Sequence, residues 1–129
     1  LGGYSIGRMV EHPRVISAIS SSFLREEVLA VGAVIIPEGP VSSIVGVVGL
    51  LITLGHLHGM EGIALLGETS GYLVDPVSSI AVLDVLERLT QIRADRTELT
   101  NLAKQMISEV AAIVNTERAN PSDDLIYIG

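Results

Sequence analysis

The residues with the clearest chemical potential lie in Gly67-Glu68-Thr69-Ser70-Gly71, where a carboxylate and two hydroxyls stand between glycines. A glycine-rich loop after an apolar strand is where open α/β sheets bind ligands. A phosphate loop would end in Gly-Lys-Ser or Gly-Lys-Thr, which this stretch lacks. A nucleophile elbow at Thr69 would need a later histidine, whereas the last one is His58. We therefore expect Glu68 to be a loop carboxylate that accepts hydrogen bonds from backbone N–H groups.

Two histidines form a second candidate site. His56 and His58 are two residues apart, a spacing that a strand could use to hold a metal ion. Glu61 is the one potential ligand beside them, which is too few for a zinc site. We expect these histidines to make local hydrogen bonds in a loop, and we predict no metal and no cofactor for the chain.

A polar cluster occupies the start of the chain. The stretch Gly2-Gly3-Tyr4 is followed by four charged or titratable residues, namely Arg8, Glu11, His12 and Arg14. This cluster could line a pocket. We expect instead a loop whose charges pair at the surface before the first strand.

The last five residues are apolar apart from the tyrosine hydroxyl, and they follow a polar stretch broken by Pro121. They are Leu125, Ile126, Tyr127, Ile128 and Gly129. Chain ends usually have nothing to pack against, so an apolar end must dock on its own body or on another molecule. We predict a folded domain over residues 1–118 and a flexible tail over residues 119–129. The alternative is that residues 125–128 pack as an edge strand or are simply disordered.

Strands and helices alternate along the chain, which predicts an α/β domain with a largely parallel sheet flanked by helices. Only three strands are evident, fewer than the usual five or six, so we expect an N-terminally incomplete domain. The predicted strands are residues 15–19, 33–36 and 63–66. The predicted helices are one that ends at Gly32, a buried one over residues 42–59, one that begins at Asp75-Pro76, and one over residues 95–118.

The last helix carries a heptad-like apolar seam. Its members alternate four and three residues apart, and they are Leu99, Ala103, Met106, Val110 and Ile113. Such a seam suits packing on another helix, either of this chain or of a second copy.

Composition excludes several classes of function. The net charge of −7 and the eight scattered basic residues offer no cationic surface for nucleic acid. The longest apolar run, residues 44–54, is too short to cross a membrane. The absence of cysteine excludes disulfides and fits a reducing, cytoplasmic location.

Three segments together resemble the archaeal branch of the proteasome assembly chaperone family, which is related to the second eukaryotic assembly chaperone. They are LGGYSIGRMVEHPRV, GLLITLGHLHGMEGIALLGETSGYLVDP and the terminal LIYIG. The resemblance implies a fold similar to that of purine nucleoside phosphorylases, without an enzymatic role. Because family members are longer, this chain resembles their C-terminal portion.

The resemblance also gives the tail a function. Related archaeal chaperones and the proteasomal ATPases end in a hydrophobic-tyrosine-any motif that inserts between α-subunits of the proteasome core particle. Ile126-Tyr127-Ile128 matches the residue types, although Gly129 makes Tyr127 third from the end. The implied protein is a non-catalytic, homo-oligomeric assembly chaperone or activator.

Two alternatives remain open. The first is a small-molecule enzyme of phosphorylase or hydrolase type that uses the loop from Gly67 to Tyr72. The second is a structural module that oligomerises through the seam of the last helix.

Overall fold

A computed structural model describes residues 1–35 and 46–119 of the chain. Its strands are β1 (Gly2–Ser5), β2 (Val15–Ile19), β3 (Val34–Ile35) and β4 (Ile63–Thr69). Its α-helices are α1 (Arg25–Ala30), α2 (Val47–Leu57), α3 (Pro76–Thr90) and α4 (Thr97–Ala119). Within these described ranges, no helix is long and apolar enough to cross a membrane.

The four strands form one sheet in the order β1-β4-β2-β3. β1 pairs parallel with β4, and β2 pairs parallel with β3, whereas β2 and β4 are antiparallel. The prediction of an α/β fold with a largely parallel sheet is confirmed. The N-terminal residues Gly2 to Tyr4 belong to a strand, so the prediction of a loop there is wrong. Two consecutive glycines hide the strand, because they carry no side chain to show an alternating pattern.

The core lies between one face of the sheet and helices α1 and α3. Its buried members come from all of these elements, and they are Val15, Val28, Ala33, Leu65, Val82 and Val85. The strand predicted over residues 15–19 is confirmed with the same bounds. Gly32 takes a φ of +91° after α1, which is the left-handed stop expected there.

Helix α2 lies on the opposite face of the sheet, and the prediction that it is buried is wrong. Val48 and Ile52 are half-buried toward the sheet, while Val47 and Leu51 on the outer side are exposed. An apolar run without a polar face cannot by itself reveal that one side lacks a neighbour. Residues 42–45, with which the predicted helix begins, lie outside the described residues.

Helices α3 and α4 pack against each other. Asp75 caps α3 by accepting a 2.9 Å hydrogen bond from the backbone N–H of Ser78, as its sequence position predicted. Gln91 ends α3 in a left-handed conformation, so Ile92 lies outside the helix and is exposed. The guanidinium of Arg96 then pairs with Asp84 and Glu87 of α3.

The N-terminal part of the predicted seam on α4 is used within the chain. Ala103 is buried, and Leu99 and Met106 are half-buried, where α4 packs on α3. Val110 and Ile113 lie in the helical range, but their side chains are outside the described part. The described seam residues therefore pack on a helix of this chain, which is one of the two arrangements that the sequence allowed.

Candidate functional site

The candidate site lies at the edge of the sheet where β1 and β4 end and β2 begins. The parallel register of β1 and β4 pairs Tyr4 with Glu68 and Ser5 with Thr69. The antiparallel register of β2 and β4 pairs Val15 with Gly67, which places Arg14 next to Glu68. Residues from three distant parts of the sequence thus meet at one edge.

Glu68 is a buried strand residue rather than the loop residue predicted. Glu68 is 3% exposed, and its carboxylate accepts hydrogen bonds from the backbone N–H of Arg14 at 3.0 Å and from its Nε at 2.8 Å. Arg14 Nη2 forms an ion pair with the same carboxylate. The expected hydrogen bond from a backbone N–H is confirmed, whereas the guanidinium partner was not foreseen.

The Arg14 side chain lowers the pKa of Glu68 by hydrogen bonding, and this outweighs the opposing effect of burial. Glu68 in turn raises the pKa of Arg14, again chiefly through the side-chain hydrogen bond. A carboxylate held ionised in this way is a poor general acid, because such a group needs a raised pKa. The geometry therefore makes Glu68 a structural tie between β2 and β4.

The hydroxyls of the loop also have structural partners. Ser5 Oγ donates a 3.2 Å hydrogen bond to the backbone carbonyl of Ser70, and the Tyr72 N–H donates to Ser70 Oγ at 3.4 Å. Gly71 takes a φ of +82°, and a Cβ at this position would lie 2.2 Å from Ser5 Oγ. The loop is therefore a tight turn built against β1.

This turn presents three consecutive apolar side chains to solvent. Tyr72 is 84% exposed, and Leu73 and Val74 are also exposed, immediately before the cap at Asp75. The glycine spacing indicates a possible ligand loop over residues 67–72 but gives no sign that these side chains are exposed. Their position between a turn and a proline-started helix could have indicated exposure.

A groove of about 520 Å³ runs beside β1, between this strand and helices α3 and α4. Gly2 and Gly3 line one side, while Ser78, Leu83 and Leu99 line the other. Of the N-terminal cluster that could line a pocket, Gly2 and Gly3 therefore do so. The groove does not include Glu68, Arg14 or a histidine.

Of the two histidines predicted to lie in a loop, His56 is instead helical, whereas His58 lies in the turn that follows the helix. His56 belongs to α2, and His58 is the residue at its C-terminal cap. In the described ranges, no group of three or more His, Cys, Asp or Glu side chains is placed to hold a metal ion.

The predicted partner-binding residues lie outside the described part of the structure. This applies to Leu125, Ile126, Tyr127, Ile128 and Gly129, as well as to Pro121. The edge-strand alternative for residues 125–128 also falls in this segment. The last described element before them is α4, which ends at Ala119.

Comparison with known proteins matches residues 1–114 to the PAC2 family. The chain is 34% identical over 138 aligned positions to an uncharacterized protein of Methanocaldococcus jannaschii, covering 100% of the chain and 53% of that protein. The chain thus spans about half the length of this curated relative.

Two solved structures from Pyrococcus furiosus share the fold. PbaB, an archaeal proteasome activator, matches with a TM-score of 0.74 and 32% identity, over 87% of this chain and 48% of PbaB. PbaA, an archaeal homolog of proteasome-assembly chaperone, matches with a TM-score of 0.75 and 24% identity, over 92% of this chain and 48% of PbaA. At the latter identity the likeness shows the fold alone.

Proposed function

The chain belongs to the PAC2 family, and from this membership we propose that it is a non-catalytic proteasome assembly chaperone or activator. In this proposal residues 1–118 form a body that oligomerises. Residues 119–129 form a tail whose apolar end binds pockets between α-subunits of the proteasome core particle. The observation that carries the proposal is the 32% identity to PbaB, an archaeal proteasome activator, over 87% of this chain.

The energetics of the tail favour several copies acting together. Burial of Ile126, Tyr127 and Ile128 would contribute on the order of 5 kcal/mol, from which the cost of ordering the tail must be subtracted. One tail alone would therefore bind weakly. Several tails on one oligomer, facing a ring of similar pockets, would gain from a high effective concentration. We accordingly propose a homo-oligomer as the working form, in the cytoplasm where core particles are found.

The course of α4 supports a tail held away from the body. Met106 is the last half-buried side chain described on this helix, and the described side chains that follow are all exposed, namely Ile107, Ser108, Glu109 and Ala112. The helix continues to Ala119, which is about 20 Å beyond Met106 at 1.5 Å per residue. A tail that starts at Ala119 therefore begins well beyond the part of α4 that packs on α3.

The enzyme alternative receives less support from the described site. Glu68 is engaged by Arg14 and kept ionised, and the Ser70 groups are used to build the turn. A small-molecule enzyme at residues 67–72 would have to draw its reactive groups from elsewhere. The body is better suited to hold a tail than to perform catalysis.

The test is a pull-down of purified core particle by the full chain and by variants. We expect deletion of residues 125–129 and Tyr127→Ala to abolish most recovery, because both remove the apolar anchor. Tyr72→Ala is the matched control, since it removes an exposed tyrosine of the body and leaves the tail intact. Equal recovery by all four proteins would refute the proposal.

Deletion of Gly129 alone distinguishes an activator from a binder. This deletion makes Tyr127 penultimate. Peptide hydrolysis by the core particle should rise with this variant if pocket recognition depends on the distance to the terminal carboxylate.

A further inference from the structure

We draw no further inference here: the strongest candidate, the groove beside edge strand β1 that is lined by the buried Ser78 of α3 and by Leu99 of α4, carries nothing, because the chain spans about half the length of its curated relative and nothing in the structure shows what covers this groove.

Discussion

Glu68 binds Arg14 through both the guanidinium and the backbone N–H of that arginine, although the two residues are 54 positions apart in the chain. The side-chain contact therefore joins the residue just before β2 to the end of β4, in addition to the backbone pairing of the two strands. Because Glu68 is buried, loss of Arg14 would leave its carboxylate without a side-chain partner and would destabilise this part of the sheet.

We expect Glu68→Gln to lower the free energy of unfolding by about 2 kcal/mol, since charge-assisted hydrogen bonds are lost at a buried position. Urea unfolding at neutral pH measures the change. Glu61→Gln is the control, because Glu61 is exposed, and it should change stability by less than about 0.5 kcal/mol. Equal effects of the two substitutions would show that the Arg14 contact contributes nothing.

Acid should weaken the fold through the same carboxylate. The pKa of Glu68 is below its ordinary value of 4.5 in the folded state, so the unfolded state binds the proton first as the pH falls. The stabilisation is complete above the unfolded pKa and is lost as the pH falls through the folded pKa. The stability of the wild-type chain should thus fall more steeply than that of Glu68→Gln as the pH falls below the ordinary glutamate pKa of 4.5. If the stabilities of the two proteins, measured by urea unfolding, fall in parallel with pH, Glu68 is not the source of the acid sensitivity.

Gly67 allows α3 to approach β4 closely, so a methyl group there should be costly. A Cβ would lie 2.3 Å from Ser78 Oγ and 2.8 Å from Val82 Cγ2. We expect Gly67→Ala to destabilise the chain by about 3 kcal/mol through overpacking. Gly55→Ala in α2 is the control, because its Cβ would be 3.8 Å from Met60 and alanine favours the helix. In thermal unfolding, the midpoint temperature of Gly67→Ala should lie below that of the wild type, and that of Gly55→Ala should lie above it.

Asp75 caps α3 with a single side-chain hydrogen bond to Ser78 N. Asp75→Ala should cost about 1 kcal/mol of unfolding free energy, because it leaves that N–H without its partner. Asp75→Ser retains an acceptor oxygen and should restore most of the loss. A serine variant as unstable as the alanine variant in urea would mean that the cap is not the source of the effect.

Elements whose backbone conformation depends on neighbouring residues were predicted correctly from the sequence. The β-branched run over residues 15–19, the left-handed glycine at position 32 and the Asp75-Pro76 helix start are all found where expected. In each case the neighbouring residues alone determine the backbone conformation. The resemblance to the proteasome assembly chaperone family is likewise confirmed by the match over residues 1–114.

Features that depend on distant partners could not be predicted in this way. β1 is a strand because it pairs with residues 66–69, and its own Gly2-Gly3 carries no strand signal. Arg14 meets Glu68 because β2 runs antiparallel to β4, while the sequence favoured parallel neighbours. The exposure of α2 depends on which elements cover it, and composition does not reveal this.

The ion pairs of Arg96 with Asp84 and Glu87 join the base of α4 to α3. With 23 residues, α4 is about 34 Å long. A tilt of about 10° at its base would therefore displace Ala119 by about 6 Å. We therefore expect a substitution at Arg96 to change the position of Ala119, from which the proposed tail extends, without altering the tail itself.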